Sequence, residues 1–187
     1  MSVDESIANF AELIKSFRSQ VPDGWVRGYV STAFECPYSG RIAPEATASV
    51  ADRLKQIGAN EVCLGDTIGV AAPPEVERLS RALSLPTEMV AWHFHDTRGT
   101  AVANVAKALE LGYTAFDSSA GGLGGCPYAP GAGGNLATED LVYLLERTGL
   151  ATGVDQKKLA EASLPVLEAL GRRPSSKSQL AQLSACR

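Results

Sequence analysis

An α/β fold built on a parallel sheet is what this 187-residue sequence predicts. Strand-like and helix-like stretches alternate about every 25 to 36 residues, the spacing of βαβ units. Every compositionally unusual stretch falls directly after a strand: ECPYSG after the first, GDT after the second, HDT after the third, and a glycine-rich loop after the fourth. Ligand sites of parallel α/β folds lie at the carboxyl ends of strands, so the second observation supports the first. The count sets the choice that remains. Four strands make either a small open sheet or the second half of a (β/α)8 barrel.

The elements follow in order. Ser2 begins an S-x-x-E capping box, and Ile7, Phe10, Leu13, Ile14 and Phe17 continue at helical spacing. WVRGYVSTAF (25–34) reads as a strand. PEATASVADRLKQIG (44–58) reads as a helix, with proline in its first turn and glycine past its end. EVCLGD (61–66) is the second strand and PPEVERLSRALS (73–84) the next helix. MVAWHFH (89–95) is a strand, TAVANVAKALELG (100–112) a helix, and TAFDSS (114–119) the fourth strand. ATEDLVYLLERTG (137–149) and DQKKLAEASLPVLEALG (155–171) are helices, the second with a kink expected at Pro165. The expected organisation is one unit over 1–171 and a polar tail, 172–187, that frays.

Composition excludes several function classes. The chain is 45% apolar, enough for a core, and carries a net charge of −4 with no basic block. Phosphate backbones need clustered Lys and Arg, so nucleic acid is not an expected partner. No apolar run reaches the roughly 18 residues of a membrane span, and the acidic start MSVDESIANF lacks the cationic opening of a targeting peptide. Cys36, Cys63, Cys126 and Cys186 are too widely spaced for a secreted disulfide framework, which points to a reducing cytoplasm.

Three stretches carry chemistry. His93 and His95 stand two apart on a strand, so both imidazoles point to one face and could grip one cation; Asp96 follows. The same pattern also suits two hydrogen-bonded core or surface histidines, and the strand-end position favours the metal reading. Asp66, in LGDT at the end of its strand, could bind a cation through water, orient a ligand or act as a base, or with Thr67 cap the following turn. In GGLGGCPYAPGAGGN (121–135) no G-K-[ST] follows and no G-x-G-x-x-G occurs, so no phosphate motif is present. Cys126, bracketed by glycines, could serve as a nucleophile or proton donor. Asn135 is a helix N-cap or a metal-shell amide. Cys36 and Cys63 look structural.

The stretches GYVSTAFECPYSGRIAPE, LGDTIGVAAP, HFHDTRGTAVAN, FDSSAGGLGGCPYAPGAGGNLATEDLVYLLERTG and SSK resemble the 3-hydroxy-3-methylglutaryl-CoA lyase family, metallolyases with a TIM-barrel fold. The likeness runs unbroken from residue 1 to about 180. It implies cleavage of 3-hydroxy-3-methylglutaryl-CoA, or a similar acyl-CoA, to acetyl-CoA and acetoacetate with Mg²⁺ or Mn²⁺. By motif it makes His93, His95 and Asn135 metal ligands, places His93 near the substrate hydroxyl, and gives Asp66 acid/base work. Cys126 becomes the proton donor to the enolate; Glu139, Thr67 and Asp96 support the site.

The family's R-D-G-L-Q motif, source of a metal-ligating aspartate and a thioester-polarising arginine, does not occur; Asp52-Arg53 lies within a predicted helix. The resemblance therefore implies about the last four β/α units of the barrel, with weak or no turnover alone and open edges that favour a homo-oligomer. Two other readings stand beside it: a condensing relative of Claisen or aldol type, and a non-catalytic half-barrel that pairs with a partner. Should the host be eukaryotic, the mitochondrial matrix joins the cytoplasm as an expected location.

Overall fold

The computed structural model describes residues 1–125 and 134–185. Helix α1 (Val3–Gln20) opens as expected: Ser2 Oγ accepts from Glu5 N at 3.2 Å while Ser2 N donates to Glu5 Oε2 at 2.7 Å. Strand β1 (Arg27–Val30) is shorter than the sequence suggests. The residues after it form a small antiparallel ribbon, β2 (Glu35–Cys36) with β3 (Gly40–Arg41). Then come α2 (Pro44–Gln56), β4 (Glu61–Asp66), α3 (Pro73–Ala82), β5 (Val90–Phe94), α4 (Ala101–Glu110) and β6 (Ala115–Asp117). Helix α5 (Thr138–Arg147) follows the glycine stretch. The last predicted helix breaks at Ser163 into α6 (Gln156–Ala162) and α7 (Leu164–Ala169), with Pro165 in the first turn of α7 where its missing N–H is harmless.

Strands β1, β4, β5 and β6 form one parallel sheet in chain order, the sequence of pairing found in a segment of a (β/α)8 barrel. Side chains alternate across it. Even-numbered Val62, Leu64, Val90, Trp92 and Phe94 are buried and meet Leu54, Leu79 and Val105 of the helices. Trp92 is the centre of this layer: it stacks on Phe94 (5.6 Å between centroids) and Phe34 (6.2 Å), and Tyr113 meets it edge-on at 5.2 Å. Odd-numbered Arg27, Tyr29, Cys63, His93 and Asp117 meet one another on the other face.

That second face is concave. Strands lie about 4.8 Å apart, so β1 and β6 would stand about 14 Å apart in a flat sheet. Arg27 Nη1 nevertheless reaches Asp117 Oδ1 at 2.7 Å, and Tyr29 Oη reaches Asp117 Oδ2 at 3.1 Å. The two edge strands are curled toward each other, as barrel closure requires.

On α1, Ile14 is buried whereas Phe10, Leu13 and Phe17 are exposed. One expectation needs correction. The C-terminal segment expected to fray contains α8 (Lys177–Ala185), anchored by Ser176 and Gln179, both essentially without solvent contact. No described helix is long and apolar enough to cross a membrane.

Because Leu79 is 1% exposed in the sheet-helix layer, Leu79→Ala should destabilise the fold by about 2–4 kcal/mol, read from the urea midpoint by circular dichroism.

Candidate active site

The parity of β5 decides what reaches the concave face. His93 and His95 both point there, and their Nε2 atoms stand 3.2 Å apart. On the far side of His93, Nδ1 lies 3.2 Å from Asp117 Oδ2. Asp117 is held in place by the Arg27 and Tyr29 contacts, and Cys63 Sγ sits 3.5 Å from the same oxygen. The hydrogen bond from His93, with help from Tyr29 and Arg27, draws the Asp117 carboxyl down to about 2 against the opposing effect of burial. An aspartate so firmly ionised fixes the tautomer: Nδ1 of His93 carries a proton and Nε2 offers its lone pair toward His95.

Asn135 completes the group. It forms an isolated antiparallel bridge with His95, and its side chain hydrogen-bonds the His95 ring. Its Nδ2 donates to the Leu123 carbonyl at 2.8 Å, so Oδ1 is the atom that accepts from the His95 ring and would face a cation in place of that proton. The N-cap alternative fails, because Ala137 occupies that position. Burial foremost, then the repulsion that two protonated rings would suffer, lowers the proton affinity of His95; Asn135 and the Thr67 backbone oppose this. His95 Nδ1 is itself buried and has no partner at hydrogen-bonding geometry among the described residues.

These features fit a divalent cation. Two ring nitrogens 3.2 Å apart can share at most one proton in the metal-free chain. Lowered proton affinity keeps His95 neutral, the form in which imidazole ligates. A cation accepting the Nε2 lone pair would leave the proton of His95 on Nδ1, beside Thr67. The donor set is two imidazoles and an amide. No group of three or more His, Cys, Asp or Glu suited to a metal exists among the described residues.

The neighbouring carboxylates point elsewhere. Asp66 and Asp96 have the opposite parity to the histidines. Asp66 is 1% exposed and takes the Val70 and Ala71 amides at 2.9 and 3.0 Å, tying down the turn after β4; burial raises its carboxyl. Asp96 accepts from Ala101 N at 2.9 Å, at the start of α4, and burial raises it too. Glu139 is buried under the glycine turn, where both its oxygens lie 2.9 Å from Gly121 N. Cys126 and Cys186 lie outside the described residues. Cys36 is no packed thiol: it sits partly exposed in the β2–β3 ribbon, and hydrogen bonds from Ser39 and the Tyr38 and Ser39 amides lower its pKa. Cys63 fits the structural expectation, buried with its thiol pushed up by desolvation.

Asp117, Arg27 and Tyr29 were not singled out from the sequence. The available signal was an aspartate ending a strand whose neighbour ends in H-x-H, on the same parity.

The pH dependence of stability has a definite sign. A carboxyl held at about 2 when folded, against about 3.9 when unfolded, stabilises fully above pH 4 and loses that contribution as pH falls toward 2. Asp117→Asn should therefore lose about 1 kcal/mol relative to the parent at pH 6, partial exposure of the carboxylate allowed for, and the gap should narrow below pH 4. Urea titrations at pH 6, 4 and 3 measure it.

Comparison with known proteins places this arrangement. The HMGL-like family model matches residues 1–166. Hydroxymethylglutaryl-CoA lyase of Pseudomonas mevalonii is 48% identical over 182 residues, covering 96% of this chain and 60% of that protein. The crystal structure of hydroxymethylglutaryl-CoA lyase from Pseudomonas aeruginosa superposes with a TM-score of 0.93 at 42% identity, over 99% of this chain and 62% of that one. An HMG-CoA lyase from Acinetobacter baumannii, solved in complex with coenzyme A and 3-methylmalate, gives 0.86 at 37% identity, over 95% and 58%. The chain thus spans about three-fifths of the length of these relatives. It belongs to the HMGL-like family.

Proposed function

We propose that this chain carries the cation-binding and proton-transfer part of a carbon–carbon lyase site that cleaves 3-hydroxy-3-methylglutaryl-CoA to acetyl-CoA and acetoacetate. The observation that carries the reading is the pair of Nε2 atoms 3.2 Å apart, backed by Asp117 and flanked by Asn135. Similarity to lyases at 48% identity, and to one solved with coenzyme A, supports the substrate class.

His93, His95 and Asn135 would hold Mg²⁺ or Mn²⁺, which supplies Lewis-acid stabilisation of negative charge on the substrate oxygens. Everything else falls to the protein. His93, locked by Asp117 through its Nδ1 proton, would present Nε2 to the cation and so lie beside the tertiary hydroxyl. Loss of the hydroxyl proton starts the cleavage, and the departing acetyl-CoA enolate must then be protonated. Cys126 is the proposed donor, since a thiol loses its proton closer to neutrality than an alcohol does. Asp66 is the proposed acid/base group that takes the hydroxyl proton; to do so it must release the Val70 and Ala71 amides and turn to the concave face. Its raised proton affinity suits that transfer. Thr67 bears on His95 through its backbone, Asp96 holds the start of α4, and Glu139 supports the glycine turn.

Two further parts belong to the same proposal. The outer edges of β1 and β6 are unpaired among the described strands and offer backbone to a second copy, so a homo-oligomer is expected. Free thiols at Cys36 and Cys63 suit a reducing compartment such as the cytoplasm.

The test is calorimetric titration with Mn²⁺ alongside a coupled assay for acetyl-CoA released from 3-hydroxy-3-methylglutaryl-CoA. One saturable Mn²⁺ site, weakened at least about tenfold by His95→Ala, is expected. Any acetyl-CoA release should disappear in the same variant. A parent chain with no saturable Mn²⁺ binding would sink the proposal.

A further inference from the structure

We propose that α8 is a positioning element of the site: Gln179, acting through Ser163 and Glu139, fixes the glycine turn whose next carbonyl holds the Asn135 amide. The inference rests on the reading of Asn135 as a cation ligand. It adds a segment, residues 175–179, that lies beyond the 1–166 matched by the family model.

The chain of contacts starts in α8. Gln179 is fully buried, and its Nε2 donates both to the Ala160 carbonyl at 2.8 Å and to Ser163 Oγ at 2.6 Å. Ser163, 3% exposed, has two possible acceptors for its own proton: Glu139 Oε1 at 3.1 Å and the Ala160 carbonyl at 3.4 Å. By taking a lone pair of Ser163 and competing for the Ala160 carbonyl, Gln179 favours the Ser163 proton on Glu139. The side chain of α8 thus biases which way a buried hydroxyl points.

That choice matters to Glu139. Its carboxylate is 3% exposed, and its hydrogen bonds among the described residues come from neutral groups, Gly121 N–H and the Ser163 hydroxyl. A buried carboxylate without a cation is held by its hydrogen bonds alone, so losing one moves the rest. The Gly121 amide is therefore set by the Ser163 proton.

The turn has little freedom to compensate. Gly121 and Gly122 both have positive φ, 65° and 63°, and a Cβ on Gly122 would sit 2.6 Å from Ser175 Oγ. Ser175 Oγ also donates to the Gly121 carbonyl at 3.3 Å. The turn is thus gripped by α5 through Glu139 and by the segment entering α8 through Ser175. Immediately after it, the Leu123 carbonyl accepts from Asn135 Nδ2 at 2.8 Å, and a Cβ on Gly124 would come within 2.4 Å of that nitrogen. Asn135 lies in a slot whose wall is this backbone. A shift at Gly121 is a shift of the wall.

Two variants test the relay, and a third controls for it. Gln179→Met keeps length and burial but removes the donor; Ser163→Ala removes the middle hydroxyl with minimal change of volume. Leu180→Ala alters α8 at a residue 41% exposed and outside the relay. The first readout, in metal-free protein, is the ¹⁵N side-chain resonance of Asn135 and its hydrogen exchange. Both relay variants should shift the resonance and speed exchange at Asn135 Nδ2 and Gly121 N by about tenfold, while Leu180→Ala matches the parent. The second is Mn²⁺ titration, where the relay variants should bind about threefold to tenfold more weakly. An unchanged Asn135 resonance and exchange in Ser163→Ala overturns the proposal, even if Gln179→Met fails to fold. Should the parent bind no Mn²⁺, the proposed function falls, and the Asn135 resonance alone decides the relay: a shift supports it, its absence overturns it.

Discussion

One carboxylate joins the shape of this sheet to its chemistry. Asp117 ends the last strand, and it receives Arg27 and Tyr29 from the first strand and His93 from the neighbouring one. The first two contacts span the concave face and accompany its curl. The third commits one nitrogen of His93 and thereby aims the other. A neutral residue at 117 would loosen both at once, because the ion pair with Arg27 and the hydrogen bond to His93 use the same charge. Arg27 is in turn shared with Glu61, so the concave face holds a connected set in which one guanidinium serves two carboxylates. Partial burial makes such a set worth more than the same pairs in open water.

Much of this was legible in the sequence. The alternation of strands and helices, the order of the elements and the common face of His93 and His95 follow from local periodicity, which a single stretch of chain displays. Asp117 was missed for the opposite reason: its partner Arg27 is 90 residues away, and only strand order and curvature bring them together. Asp66 and Asp96 stood out because they adjoin conspicuous stretches, yet each lies one residue off the parity of the histidines. Each is taken up by local amides instead. For Asp66 the turn-capping alternative is thus what the geometry displays.

The C-terminal segment teaches a different lesson. Nothing in RRPSSKSQLAQLSACR has the apolar spacing of a core helix, so it reads as solvent-bound. What buries it is polar. Ser176 accepts from Gln179 N and donates to Asp140, and Gln179 reaches the α6–α7 junction. A segment recruited by hydrogen bonds has no periodic apolar signature and is invisible to a search for one. Similarly, Asn135 has the residue type of a helix cap, but Ala137 takes that position two residues later.

The layer around Trp92 has one more consequence. Trp92 and His93 are adjacent on a strand, so the ring packed against Phe34, Phe94 and Tyr113 fixes which way the imidazole faces. A slip of β5 by a single residue would drive the indole into the polar hollow and the imidazole into oil-like surroundings, and both moves are costly. The two imidazoles therefore have no melting transition of their own. They come apart only when the aromatic layer does, and a substitution deep among the helices can undo their arrangement as surely as one that removes an imidazole.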